Sequence, residues 1–213
     1  SRSGSDWEEI YVMDVKTQKL LADHIVWAKF TGADWQGDGF YYSAYDAPEK
    51  GKETSAKNEI QKVYYHKMGT PQSQDVLFYQ NPANPLRFYG VSVNKEETMM
   101  FLTESGMDQG INLFVRDLRQ PNSQFIQMTG DCSKTYSPVE IIGDDIYMLT
   151  NAGAQKYRLM VANLKKPGYQ DWKELIPESD AVLEDVTFVD GDKMVLTYTK
   201  DNCSHAYLYN IKG

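Results

Sequence analysis

Five short apolar runs each end on a polar residue: Asp14, Lys67, Asp117, Asn163 and Asn210. Their separations are 53, 50, 46 and 47 residues. Around each of these points, runs rich in Tyr, Val, Ile and Phe alternate with clusters of Gly, Asp, Asn and Lys. That is the pattern of short β-strands joined by tight turns. The best-formed example is Gln61 to Leu77. Gly69 accepts a positive φ, Pro71 cannot donate to a ladder, and Val76-Leu77-Phe78-Tyr79 follows, so the chain must reverse between two strands.

A period of about 40–50 residues with four strands per unit marks a β-propeller. The 53-residue interval is lengthened by the polar insertion Asp46 to Asn58. The expected fold is therefore all-β, built of four-stranded antiparallel blades. One partial blade covers about 1–30, whole blades cover about 31–80, 86–130 and 137–178, and a partial blade covers 184–213, all within one domain. Val63, Tyr64 and Tyr65 are apolar on both strand faces, as blades packed on two neighbours require; a two-sheet sandwich would alternate more cleanly. Leu20, Leu21, Ile25 and Ala28 also fit a helical spacing, but a helix would break the period and has no capping pattern before it.

The chain has 213 residues, 41% hydrophobic and 24% charged, ordinary for a soluble globular protein. No apolar run approaches the roughly 20 residues of a membrane span, so no membrane partner is expected. The first residues lack an apolar core, so no signal peptide is read there, and the missing initiator Met suggests a piece of a longer chain. A net charge of −8 with scattered lysines argues against nucleic acid as partner. Cys132 and Cys203 have no metal-ligand spacing and are expected as unpaired core thiols. His24, His66 and His205 have no ligand companions at helical spacing, and His66 is expected as an ordinary strand residue. No Gly-x-Ser-x-Gly elbow, P-loop or dinucleotide motif occurs, so no catalytic residue, metal or cofactor is expected. Gly37-Asp38-Gly39 and Asp190-Gly191-Asp192 recur at one place in the repeat, which points to turns rather than calcium.

Ser3-Gly4-Ser5-Asp6-Trp7 with Ile10-Tyr11-Val12-Met13-Asp14 resembles the propeller of prolyl oligopeptidases, serine peptidases that cleave short peptides after proline. So do Val26-x-x-Lys29-Phe30 with Trp35-x-x-Asp38-Gly39, Gln61 through Ser73, and Asn112-Leu113-Phe114-Val115-Arg116-Asp117-Leu118. The resemblance is strong over about residues 3–120 and collinear beyond. It implies about four blades of a seven-bladed ring that caps an α/β-hydrolase domain carrying a Ser-Asp-His triad. The triad is not in this chain, so the chain alone is expected not to hydrolyse peptides. The resemblance also implies substrate-binding roles. Phe30, Phe88 and Met107 would line the pocket for the side chain two before proline, and Asp6 would shape the field beside it. The Asp46–Asn58 loop would be a flexible element admitting substrate. Expected partners are proline-containing short peptides, the hydrolase domain and, through open blade edges, other copies of the chain. The alternative is a stand-alone propeller that binds a protein or small ligand.

Overall fold

The computed structural model describes residues 5–53, 55, 57–107 and 110–213, which fall into two compact units, 1–107 and 108–213. Among the described residues, every regular element apart from two single 3-10 turns is a β-strand, and every pairing within the units is antiparallel.

In the first unit, one sheet holds β1 (Glu8–Asp14), β2 (Lys19–Ala28), β4 (Gly39–Ala44), β5 (Lys62–Lys67) and β6 (Val76–Gln80) in that order, with β3 (Asp34–Gln36) also on β4. β7 (Phe88–Val93) and β8 (Met99–Ser105) form a separate hairpin. The helical alternative for Leu20 to Ala28 is excluded, since this stretch pairs with β1 through Met13–Leu20 and Tyr11–His24. β4 is buried along its whole length, and Ile25, Phe40, Tyr42 and Ala44 form the core around it. A buried Phe of this kind contributes about 1.5–3 kcal/mol.

In the second unit, β9 (Ile111–Asp117) pairs with β10 (Ile126–Gln127). β11 (Tyr136–Ile142), β12 (Asp145–Thr150), β13 (Arg158–Asn163) and β14 (Lys173–Ile176) make a four-stranded meander. β15 (Val182–Val189), β16 (Lys193–Lys200) and β17 (Cys203–Asn210) make a three-stranded one. The two meanders share a core: Tyr147, Leu149, Leu159 and Ile176 pack with Leu183, Val186, Met194, Leu196 and Tyr198.

The five polar residues that set the period are the last residues of β1, β5, β9, β13 and β17. Four of them end the ladder with the side chain. Asp117, Asn163 and Asn210 each accept the backbone N–H two residues on, and Asp14 accepts that of Thr17. A side chain that captures the next turn's N–H diverts it from the sheet, which is why Asp and Asn recur there. Lys67 is the exception, because its carbonyl receives both the N–H and the hydroxyl of Thr70. The Gly-Asp turns are occupied by protein partners. Asp38 pairs with Lys67, and its carbonyl accepts the Met68 N–H. The Asp192 carbonyl accepts the Ile211 N–H in the same way. The cysteine expectation is corrected: Cys203 is exposed and Cys132 half-buried, so neither is a core thiol.

Candidate functional site

β2 touches β4 through a single pair, Ala28 with Ala44, and the chain then leaves the sheet. Phe30 adopts a left-handed backbone (φ 53°) and Trp27 does the same (φ 61°). For bulky residues this geometry costs on the order of 1–3 kcal/mol and persists only where the surroundings enforce it. The result is that Phe30 turns outward, 54% exposed, rather than joining the core.

Its ring meets that of Phe88, with centroids 5.2 Å apart and planes at 77°. This edge-to-face geometry is favourable for two aromatic rings. Phe88 is half-buried at the start of β7 and pairs with Ser105 of β8, so Met107 stands just beyond the same end of the hairpin, 92% exposed. The Arg87 guanidinium lies directly against Gly106, where a Cβ would have to displace it. Phe30 also helps to line a cavity of about 150 Å³ with Asp34, Tyr41, Ser43 and Gly90. The structure thus brings together the segments carrying Phe30, Phe88 and Met107.

Asp6 joins them through Lys29. The buried Lys29 places its Nζ 3.4 Å from the Asp6 carboxylate and 5.2 Å from the ring centroids of both Trp7 and Phe30. A cation held over two rings beside a carboxylate ties the acidic residue to the aromatic one. Trp7 donates its indole N–H to the Glu53 carbonyl (2.7 Å), which anchors the Asp46–Asn58 loop near the site. Within that loop Thr54 and Ala56 lie outside the described residues, as do Ser3 and Gly4 of the first motif.

His66 is more than an ordinary strand residue. It is wholly buried, with Nδ1 2.7 Å from Asp75 Oδ1 and Nε2 3.0 Å from Asp23 Oδ1. Gly69 N–H donates to Asp23 (2.5 Å), and the Tyr42 hydroxyl donates to Asp75 (2.7 Å). Burial raises the Asp23 carboxyl, but the Gly69 N–H and His66 outweigh it and hold the group below the ordinary carboxylate range. Burial and then the Asp75 bond push the Tyr42 hydroxyl far above the ordinary tyrosine range. The Gln72 carboxamide pairs with both the N–H and the carbonyl of Val26, acting as a ladder partner where β2 has none.

Sequence reasoning missed Lys29, Gln61 and the partners of His66. The available signal was a polar residue at the margin of an apolar run, since such a residue must find a partner once buried. No nucleophile, base and oxyanion constellation exists among the described residues of this site.

A model of the prolyl oligopeptidase N-terminal β-propeller domain matches residues 1–212. The prolyl endopeptidase of Elizabethkingia meningoseptica is 32% identical over an alignment covering 100% of this chain and 30% of that enzyme. Prolyl oligopeptidase A of Amanita bisporigera is 27% identical, with 100% and 31% covered. A solved prolyl endopeptidase, described in work on inter-domain dynamics in catalysis and specificity, superposes with a TM-score of 0.84 at 27% identity, covering 100% of this chain and 30% of its own. Prolyl oligopeptidase B from Galerina marginata, as the apo protein, gives 0.85 at 24% identity with 100% and 31% covered, a likeness of fold. The chain spans about 30% of the length of the curated prolyl endopeptidases it matches. With its antiparallel sheets and its repeat, it belongs to the prolyl oligopeptidase N-terminal β-propeller family.

Proposed function

We propose that this chain is the propeller portion of a serine endopeptidase that cleaves short peptides after proline. It limits access by size and lines part of the substrate pocket, while the catalytic triad belongs to a hydrolase domain of the same protein. The observation that carries the pocket reading is the exposed, left-handed Phe30 held edge-on to Phe88. An aromatic pair left open to solvent, with a flexible Met beside it, suits capture of a side chain by area burial. Lys29 and Asp6 set the charge at its margin.

The test is a full-length enzyme carrying this propeller with Phe30→Ala. The ratio of kcat/KM between peptides that differ two positions before proline is expected to fall about 5-fold, the equivalent of roughly 1 kcal/mol for a partly exposed ring. An unchanged ratio would reject the pocket. In the same assay, a folded protein containing the cleaved sequence is expected to be spared, and its cleavage would reject the size-limiting role.

A further inference from the structure

The pocket proposed above needs Phe30 and Phe88, 58 positions apart, to be set side by side, yet Phe30 lies beyond the end of β2, and β2 does not pair with β7, the strand that carries Phe88. Two buried polar side chains make the connection. Gln61 is wholly inaccessible to solvent. Its Nε2 donates to the carbonyl of Lys29, the residue before Phe30, at 2.8 Å. Its Oε1 accepts the N–H of Tyr89, the residue after Phe88, at 2.7 Å. Ser43 of β4, also buried, repeats the bridge from the other side. Its hydroxyl donates to the Tyr89 carbonyl (2.6 Å), and its N–H donates to Thr31 Oγ1 (2.7 Å).

The flanking residues of Phe30 and both backbone polar groups of Tyr89 are therefore held by one carboxamide and one serine. A carboxamide suits this task because it offers one donor and one acceptor a fixed distance apart, matching one carbonyl and one N–H. Buried backbone groups do not stay unpaired without cost, so the bridge is enforced from both ends. It also explains how Phe30 keeps its strained backbone, which requires surroundings that over-determine it.

We propose that Gln61, seconded by Ser43, is the positioning residue of the pocket: it sets the Phe30 ring against the Phe88 ring. The proposal rests on the pocket reading for its functional meaning, but its geometry is tested without any peptide.

The experiment is solution NMR of this chain, reading nuclear Overhauser cross-peaks between the Phe30 and Phe88 rings. In Gln61→Met, which keeps the length and removes both hydrogen bonds, the cross-peaks are expected to disappear, while resonances of the β11–β14 sheet stay in place. In Gln61→Glu the carboxylate has no proton for the Lys29 carbonyl, so the cross-peaks are lost. They return on acidification, once the carboxyl O–H supplies that proton. A residue that merely filled space would show no such recovery. Where Gln61→Met fails to fold, the Gln61→Glu titration and Ser43→Ala decide instead, the latter with weakened but present cross-peaks. Unchanged cross-peaks in folded Gln61→Met, or Gln61→Glu cross-peaks indifferent to acid, would overturn the proposal. A selectivity ratio unmoved by Phe30→Ala would reject the pocket and leave this bridge standing.

Discussion

His66→Leu is expected to destabilise the first unit by about 3–5 kcal/mol, measured by urea unfolding at neutral pH. The substitution strands two buried carboxylates, Asp23 and Asp75, without the imidazole that lies between them. Removing one partner of a buried charged cluster has a cost of this size because the remaining charge is desolvated and uncompensated. Donor counting supports the same expectation. The imidazole presents one ring nitrogen to each carboxylate, and a leucine presents no polar atom to either. The cluster also carries a pH signature. The Asp23 carboxyl is held below its ordinary range, so its contribution is present above the unfolded value, near pH 4, and is lost as pH falls through the lower folded value. Acid should therefore destabilise the native unit, and Asp23→Asn should flatten that part of the profile. A loss under about 1 kcal/mol in His66→Leu would show that the cluster does not hold β2 to the β5–β6 hairpin.

Gly39→Ala is expected to cost about 1–3 kcal/mol through crowding alone. Gly39 begins β4 opposite Lys67, and a Cβ there would overlap the carbonyl oxygen of His66 and come 2.7 Å from the Tyr65 ring. Its φ is not left-handed, so the reason for glycine is space and not backbone freedom. For a unit of about 100 residues this corresponds to a fall in Tm of roughly 4–8 °C per kcal/mol. An unaltered Tm would mean that the two strands separate readily at this point. Gly37, two residues earlier, has open space and a positive φ, so its requirement is the opposite one.

The architecture was legible because its determinants are local. Asp117, Asn163 and Asn210 end their strands by capturing N–H groups two residues away, so spacing along the chain carried the repeat. Strand β2 runs longer than its apolar segment suggests, because Lys19 to Asp23 extends the hairpin with β1. The site was less legible. Phe30 and Phe88 meet across 58 positions, and Gln61 reaches 32 positions back and 28 forward to hold them. No periodicity encodes such partners; only resemblance to a family pointed to the two rings. His66 finds Asp23 43 positions away, so its spacing to other acids revealed nothing. The cysteines were misread because burial was assumed from residue type, whereas Cys203 lies on β17, which is exposed along most of its length.

The most direct measurement is the structure of the full-length enzyme carrying this propeller, bound to a proline-containing peptide inhibitor with a large apolar side chain two positions before proline. That side chain is expected to lie within about 4.5 Å of the Phe30 and Phe88 rings, the distance that defines apolar contact. Met107 is expected to close over it, with the Asp6–Lys29 pair at the margin. A peptide whose side chain points away from these rings, with Phe30 and Phe88 as open to solvent as without it, would contradict the account.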